Sequence, residues 1–414
     1  MSNIDIMSAV APTDVDAVPT LLSGVASAGH SFSESGGAVA TRRELLAKVR
    51  ALTHALETPR EMMIQHVWAQ PCNVMAVQFG VQSGLWNAMS RNGDGPQRVA
   101  DLATQIGVQE ELLTRMMRHI AASGYINMTA PDEYTPNSFS KSLSLAVMSS
   151  GYHTGPPILV PAFLESHDWL EKKGYKCPTN NLDTPYQAAH NTDLHWFAHL
   201  QSSPPHGPNF NDHMHGYLLG RPQWFDEGFY PIKDRVFEGF DPTDENATLL
   251  IDLAGGIGHY TEGLLAKYPD APGRFILQDL PIVLGSVQQL HPRIEKMEYD
   301  FFTEQPVKGA RVYYTHFVLH DWPDEEAEKI ATGVMKAMKP KYSKFLIHEH
   351  VVPDVAPDYE QTALDLIMMT SFGAKERSVA QWTQLLEGKC GLKITGIWTP
   401  VNGIESIIEC ERPE

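Results

Sequence analysis

The chain has 414 residues, 43% of them apolar and 20% charged, a composition that fills a sizeable core and divides into two domains plus an extension. Acidic residues outnumber basic ones by 50 to 32, for a formal charge of −18, which argues against a protein that grips nucleic-acid phosphates. Four scattered cysteines (Cys72, Cys177, Cys390 and Cys410) give no disulfide framework. No stretch approaches the roughly 20 apolar residues of a membrane span, and the first residues lack a secretory pattern, so the cytoplasm is the expected location.

Residues 1–40 are rich in Ser, Ala and Gly and read as a loose extension. A helical stretch follows from Thr41 to Glu57. Between Pro59 and Ser144 the apolar spacing is helical. Val99, Leu102, Ala103 and Ile106 share one helix face, and Gly107 ends that helix. Leu112, Leu113, Met116, Met117 and Ile120 share the face of the next, which Gly124 ends. Tyr125–Met128 and Tyr134 then read as two short strands, giving the order helix–turn–helix–wing over a domain of residues 41–150. The second helix carries Arg115, Arg118 and His119 but also Glu110 and Glu111, so a structural or dimerising use is preferred to DNA reading.

Residues 151–240 are rich in aromatics and histidine and are expected to form a helical region walling an apolar pocket. His195 and His199 sit one helical turn apart, as metal ligands on a helix do, but no third ligand is evident and no metal is expected.

From residue 241 to the end the pattern becomes strand–helix–strand, with strands expected at Leu249–Leu253, Arg274–Leu277, Val312–Phe317 and Lys344–Ile347. A final pair, Leu392–Trp398 and Glu405–Cys410, is joined by a turn at Asn402-Gly403. Alternating strands and helices predict an α/β fold with a mostly parallel sheet and an antiparallel edge. The first strand runs into Leu253-Ala-Gly-Gly-Ile-Gly-His259, a small-residue turn that lets backbone approach a ligand and that fits a dinucleotide site as well. The second strand ends at Asp279, where a carboxylate suits paired ribose hydroxyls. An acidic turn with aromatics follows at Tyr299-Asp-Phe-Phe302, suited to an adenine, and Leu319-His-Asp-Trp-Pro-Asp324 stands at the end of a later strand.

Four motifs in this order resemble the class I S-adenosylmethionine-dependent O-methyltransferases of the plant caffeate and fungal secondary-metabolite type, over roughly Gln65 to Cys410. The resemblance implies a Rossmann-like catalytic domain behind a mostly helical winged-helix dimerisation domain, S-adenosylmethionine as cofactor, and a homodimer. It places Asp252, Gly255, Gly256, Gly258, Asp279, Leu280, Asp300, Phe301 and His316 at the cofactor. It also implies His320 as the general base, with Asp321, Glu349 and Glu376 as its carboxylates, and His153, Phe163, Trp196, Phe210, Met214, Met368 and Phe372 at the substrate. The first motif glycine of that family is Ala254 here, and the basic residue that many relatives carry four positions before the histidine is His316.

The expected chemistry is methylation of a hydroxyl on a small aromatic or polyketide-like molecule. An ordinary imidazole, with pKa near 6.5 against about 10 for a phenol, removes the proton in concert with methyl transfer rather than before it. Some relatives retain the cofactor and catalyse dehydration or pericyclic ring formation instead. Those are expected to replace the histidine with Arg or Lys, whereas this chain keeps His320.

Overall fold

The computed structural model describes residues 5–244, 246–401 and 403–414, so Asn402, half of the expected turn, lies outside the described residues. The chain divides into two compact units, one of residues 1–158 with 203–219 and the other of residues 159–202 with 220–414. The segment 151–240, read above as one region, is therefore shared between them.

In the first unit, composition proved a poor guide to the N-terminus. Instead of a loose extension, Val18–Glu34 is a helix that packs along a second helix, Val39–Leu56. Its Ser side chains bond back to carbonyls four residues earlier, as Ser23 does to Pro19 and Ser33 to Gly29, so local polar residues cap turns rather than unravel them. Strands β1 (Gln97–Arg98), β2 (Asn127–Ala130) and β3 (Glu133–Thr135) form a small antiparallel sheet in the order β1–β3–β2. Helices Val99–Ile106 and Glu110–Ala122 lie between β1 and β2 in sequence. Gly107, at φ +71°, caps the first, and Val99, Leu102, Leu113, Met117 and Ile120 are buried in one core with Trp86.

The second unit is built on an eight-stranded sheet. Its strands are β4 (Thr248–Leu253), β5 (Arg274–Asp279), β6 (Ile294–Glu298), β7 (Val312–His316), β8 (Lys344–Val352), β9 (Arg377–Ser378), β10 (Lys393–Trp398) and β11 (Glu405–Glu411). The order is β10–β11–β8–β7–β4–β5–β6, with β9 beside β8. β4 to β8 pair in parallel, while β11 runs antiparallel to β8 and β10 antiparallel to β11, giving the Rossmann-like α/β arrangement with its antiparallel edge.

Every residue of β4 is buried, as a parallel strand covered on both faces must be. β6 was not foreseen because Glu295, Lys296 and Glu298 interrupt its apolar pattern. It is the edge strand, and those side chains face outward, Glu295 pairing with Arg274 of β5. The core packs Ile251, Ile276, Tyr313, Phe345 and Ile408 of the sheet against Ala327, Ile330, Ala331 and Val334 of helix Asp324–Ala337. The chain leaves β4 toward β5 and β6, then returns to place β7 on the other side of β4. The carboxyl ends of β4 and β7 thus flank the point where strand order reverses, the usual ligand crevice of an open α/β sheet.

Candidate active site

The turn after β4 is shaped by residues that only small side chains satisfy. Gly256 and Gly258 hold φ of +61° and +89°, and a Cβ on Gly255 would lie 2.4 Å from the Asp252 carboxyl carbon and 2.6 Å from Leu277. Ala254 also adopts a left-handed φ of +55°, a conformation that costs an alanine about 1 kcal/mol and leaves a glycine unstrained. Asp252 does not open toward a ligand. It is buried, accepts a hydrogen bond from Thr261 at 2.7 Å, and burial raises its pKa to about 7. Its place is beneath the turn.

Asp279, at the end of β5, accepts the Gly256 N–H at 2.8 Å with one oxygen and the Leu280 N–H at 2.7 Å with the other. The carboxylate thus ties the glycine turn to β5 and keeps lone pairs for further donors. Nothing lies within 4 Å of a Cβ built on Gly256, so the turn offers open space beside that carboxylate, which is what an adenosyl ribose requires. Asp300 is exposed and its side chain accepts the Phe302 N–H at 3.0 Å, while Phe301, Phe302 and Trp322 pack edge-on against each other. His316 ends β7. Its Nε2 is 3.1 Å from the Tyr260 hydroxyl and 3.2 Å from Glu405, and burial lowers its pKa to about 4. A neutral imidazole therefore stands where many relatives are expected to carry a cation.

His320 occupies a single tight turn, Leu319–Asp321, after β7. Its ring stacks on Phe317 at 4.7 Å, its Nδ1 is 2.6 Å from Glu376 Oε1, and its Nε2 is 3.4 Å from Asp321. Burial works against a charged imidazole, but Glu376 and Asp321 beside it raise its pKa to about 10. Burial likewise penalises the Glu376 anion, yet His320 holds its pKa near 2. Asp321 and Glu349 go the other way, each raised by burial to about 7. Glu376 thus favours the charged form of the His320 ring once it takes a proton. One buried ring meets three carboxyl groups, and together they favour its charged form.

The turn is held from outside. Glu349 Oε1 accepts the Leu319 and Val318 N–H groups at 2.6 and 3.2 Å. The buried Arg377 donates to the Leu319 and Trp322 carbonyls at 2.9 and 3.0 Å and pairs with Asp324. Glu376 follows the Gly373 cap of helix Tyr359–Phe372, and its N–H bonds to Asp365 at 2.9 Å. A Cβ on Gly373 would press to 3.0 Å against the Asn180 backbone, so a glycine is what lets the chain pass there. Arg377 and Asp365 were not singled out from the sequence, since an arginine aimed at carbonyls leaves no spacing signature.

Of the residues expected at the substrate, Trp196 and Phe372 meet with ring centroids 5.0 Å apart, and Met368 and Phe372 are buried on one helix. His195, beside them, stacks face to face on Trp322 at 5.0 Å. Phe163 belongs to the same unit but is 41% exposed. His153, Phe210 and Met214 belong to the other unit, where helix His206–Leu218 packs along helix Ala146–Thr154. His199 is engaged by the Tyr186 hydroxyl at 2.7 Å.

The match to known proteins decides the family. Residues 229–391 fit the model of the O-methyltransferase domain. The chain is 33% identical over 409 residues to the O-methyltransferase mpaG of Penicillium brevicompactum, covering 98% of this chain and 100% of that protein. It is 32% identical to the demethylsterigmatocystin 6-O-methyltransferase of Aspergillus parasiticus, over 85% of this chain and 88% of that one.

The chain belongs to the S-adenosylmethionine-dependent O-methyltransferases.

Among solved members of this fold, LepI in complex with S-adenosylmethionine superposes with a TM-score of 0.85 at 27% identity, covering 95% of this chain and 99% of that one. OxaC in complex with S-adenosylhomocysteine and oxaline gives 0.84 at 26%, covering 96% and 99%. A further neighbour described as a pericyclic reaction enzyme gives 0.84 at 27%. The methyltransferase takes S-adenosylmethionine as its cofactor, and the open glycine turn with the Asp279 carboxylate fits that ligand. No helix among the described residues is long and apolar enough to cross a membrane.

Proposed function

We propose that this methyltransferase methylates a hydroxyl of a small aromatic or polyketide-like secondary metabolite, with His320 as the base that takes the hydroxyl proton. The observation that carries the proposal is the Glu376–His320 pair. A carboxylate at 2.6 Å from Nδ1 fixes the ring so that Nε2 is the nitrogen left for the substrate, and it stabilises the imidazolium once the proton arrives. Asp321, 3.4 Å from Nε2, flanks that nitrogen, and Glu349 holds the turn by its backbone.

When bound, S-adenosylmethionine supplies a methyl group on a sulfonium, already electrophilic, so the protein's part is positioning and proton removal. Gly255, Gly256 and Gly258 let the backbone approach that ligand, Asp279 with the Leu280 N–H faces the ribose, and Asp300 with Phe301 borders the adenine. Met368, Phe372, Trp196 and Phe163, all of one unit, are the proposed apolar wall for the acceptor.

A homodimer is part of the proposal. Met63, Val67, Trp68 and Met75 are exposed on successive turns of residues 59–82, and a second subunit is the natural cover. Sedimentation should give a dimer, and a monomer at every concentration removes that part.

Purified protein incubated with labelled S-adenosylmethionine and the metabolite pool of its own pathway should place the label in product. His320→Ala should lower that transfer by about two to four orders of magnitude, the range for losing a general base, while leaving cofactor binding nearly intact. The likeness to a pericyclic reaction enzyme supports a second reading, in which substrate rearranges and the methyl group stays where it was. Product without label and without demethylated cofactor would establish that reading and exclude the first.

A further inference from the structure

A second cluster of titratable groups lies in the sheet, apart from His320 in its bonding. β7 and β8 run parallel with His316 opposite His348, and β11 enters beside β8 at Glu405. His316 Nε2 and His348 Nε2 each stand 3.2 Å from the same atom, Glu405 Oε2, and the three donor atoms all fall within 4.8 Å of one another. A tetrahedral zinc ion with bonds near 2.0–2.1 Å spaces its ligand atoms about 3.3 Å apart.

Three further features match a coordination site better than a simple hydrogen-bond network. His348 is fully buried and its Nε2 makes no hydrogen bond, although Glu405 is 3.2 Å away. The nitrogen does not aim at the oxygen, as two ligands of one ion do not aim at each other. The other nitrogen of the same ring, Nδ1, is 2.8 Å from the Tyr314 hydroxyl. With Nδ1–H donating to that hydroxyl, this is the outer contact that orients a ligating imidazole and leaves the Nε2 lone pair for an ion. Glu405 Oε1 pairs with Arg221 at 2.8 Å, which in turn reaches Glu360, and its Oε2 faces both imidazoles at 3.2 Å. The Tyr260 hydroxyl, 3.1 Å from His316 Nε2, supplies a fourth oxygen. Two imidazoles, a carboxylate and a phenolic oxygen form a donor set of the zinc class rather than of calcium or magnesium.

We propose that His316, His348 and Glu405, with Tyr260 as fourth donor, bind one divalent transition-metal ion that clamps β7, β8 and β11 to the helix following the glycine turn. The ion is structural. All four donors are filled by protein, which leaves no open position for a reacting group.

The test uses untagged, full-length protein purified without added metal or chelator. Elemental mass spectrometry should find one equivalent of zinc per chain. Stripping with dipicolinate should lower the thermal midpoint, and Zn²⁺ should restore it. Co²⁺ added to stripped protein should give the visible absorption of a tetrahedral N₂O₂ site. Glu405→Gln and His348→Gln, checked for folding by circular dichroism, should each lose the bound ion. If either variant fails to fold, the Co²⁺ spectrum of the native chain decides. Native protein that carries no metal and takes up neither ion overturns the proposal. One equivalent that survives in both folded variants, or an octahedral Co²⁺ spectrum, does so equally, by assigning the ion to other histidines.

Discussion

Glu349 holds His320 without touching its ring: the carboxylate accepts the Leu319 N–H at 2.6 Å and the Val318 N–H at 3.2 Å, while Glu376 alone sits on Nδ1. Two glutamates that look interchangeable in a motif therefore have different tasks. One fixes the backbone of the turn, and the other sets the proton affinity of the imidazole.

That division gives a pH dependence with a definite sign. With His320 raised to about 10, its proton-accepting form grows with pH well above neutrality, so kcat should climb through the alkaline range instead of levelling off near pH 7. Glu376→Gln removes the charge that raises the ring, so the inflection should move to lower pH while the maximal rate falls. Paired pH–rate profiles check this. An inflection that stays in place in Glu376→Gln would take that carboxylate out of the account.

The same pair should appear in stability. A ring whose folded pKa is raised from 6.5 to about 10 contributes fully below pH 6.5, and its contribution is lost as pH rises toward 10. Glu376, lowered from 4.5 to about 2, contributes above pH 4.5 and loses its contribution as pH falls through 2. The difference in unfolding free energy between wild type and Glu376→Gln should therefore be largest between pH 4.5 and 6.5. Denaturant titrations at pH 3.5, 5.5 and 9.5, about one unit or more outside or well within that window, compare the three regimes.

Asp279 should matter to the cofactor twice, through its own oxygens and through the turn it ties down. Asp279→Ala removes an acceptor for the Gly256 and Leu280 N–H groups, a loss of about 1.5–3 kcal/mol per charged hydrogen bond. Calorimetric titration should show S-adenosylmethionine binding at least about tenfold weaker. Unchanged affinity would place the ribose elsewhere.

Arg377 is the residue whose loss should unsettle the turn without altering any group on the imidazole. Arg377→Lys keeps the charge but cannot reach the Leu319 and Trp322 carbonyls and Asp324 together, leaving buried acceptors unmet at about 1–3 kcal/mol each. Lower stability with kcat reduced and its pH inflection in place is the expected outcome. A shifted inflection would mean that Arg377 acts on His320 electrostatically.

Strand–helix alternation, the glycine turn and the carboxylate at Asp279 were legible from local chemistry, whereas the role expected of His320 came from the family resemblance. An all-buried strand is a continuous apolar run, and a left-handed backbone selects glycine, so these features are written in neighbouring residues. The helix Val18–Glu34 was misread for the same local reason, since its Ser and Gly content resembles a linker until a partner helix is present to pack against. β6 hid behind outward-facing charges that only its edge position explains. The resemblance offered Glu376 among three carboxylates for His320, but the proton affinity of the ring needed the fold. It depends on Glu376, which arrives 56 residues later, and on burial that removes the solvent able to screen the two charges. Likewise, His316, His348 and Glu405 meet only because β7, β8 and β11 are neighbours in the sheet, a pairing set by the strand order. Local residue types determined most of the strands and helices and which groups are available for chemistry. The tertiary structure decided the distances between those groups, and in a low-dielectric interior distance decides charge.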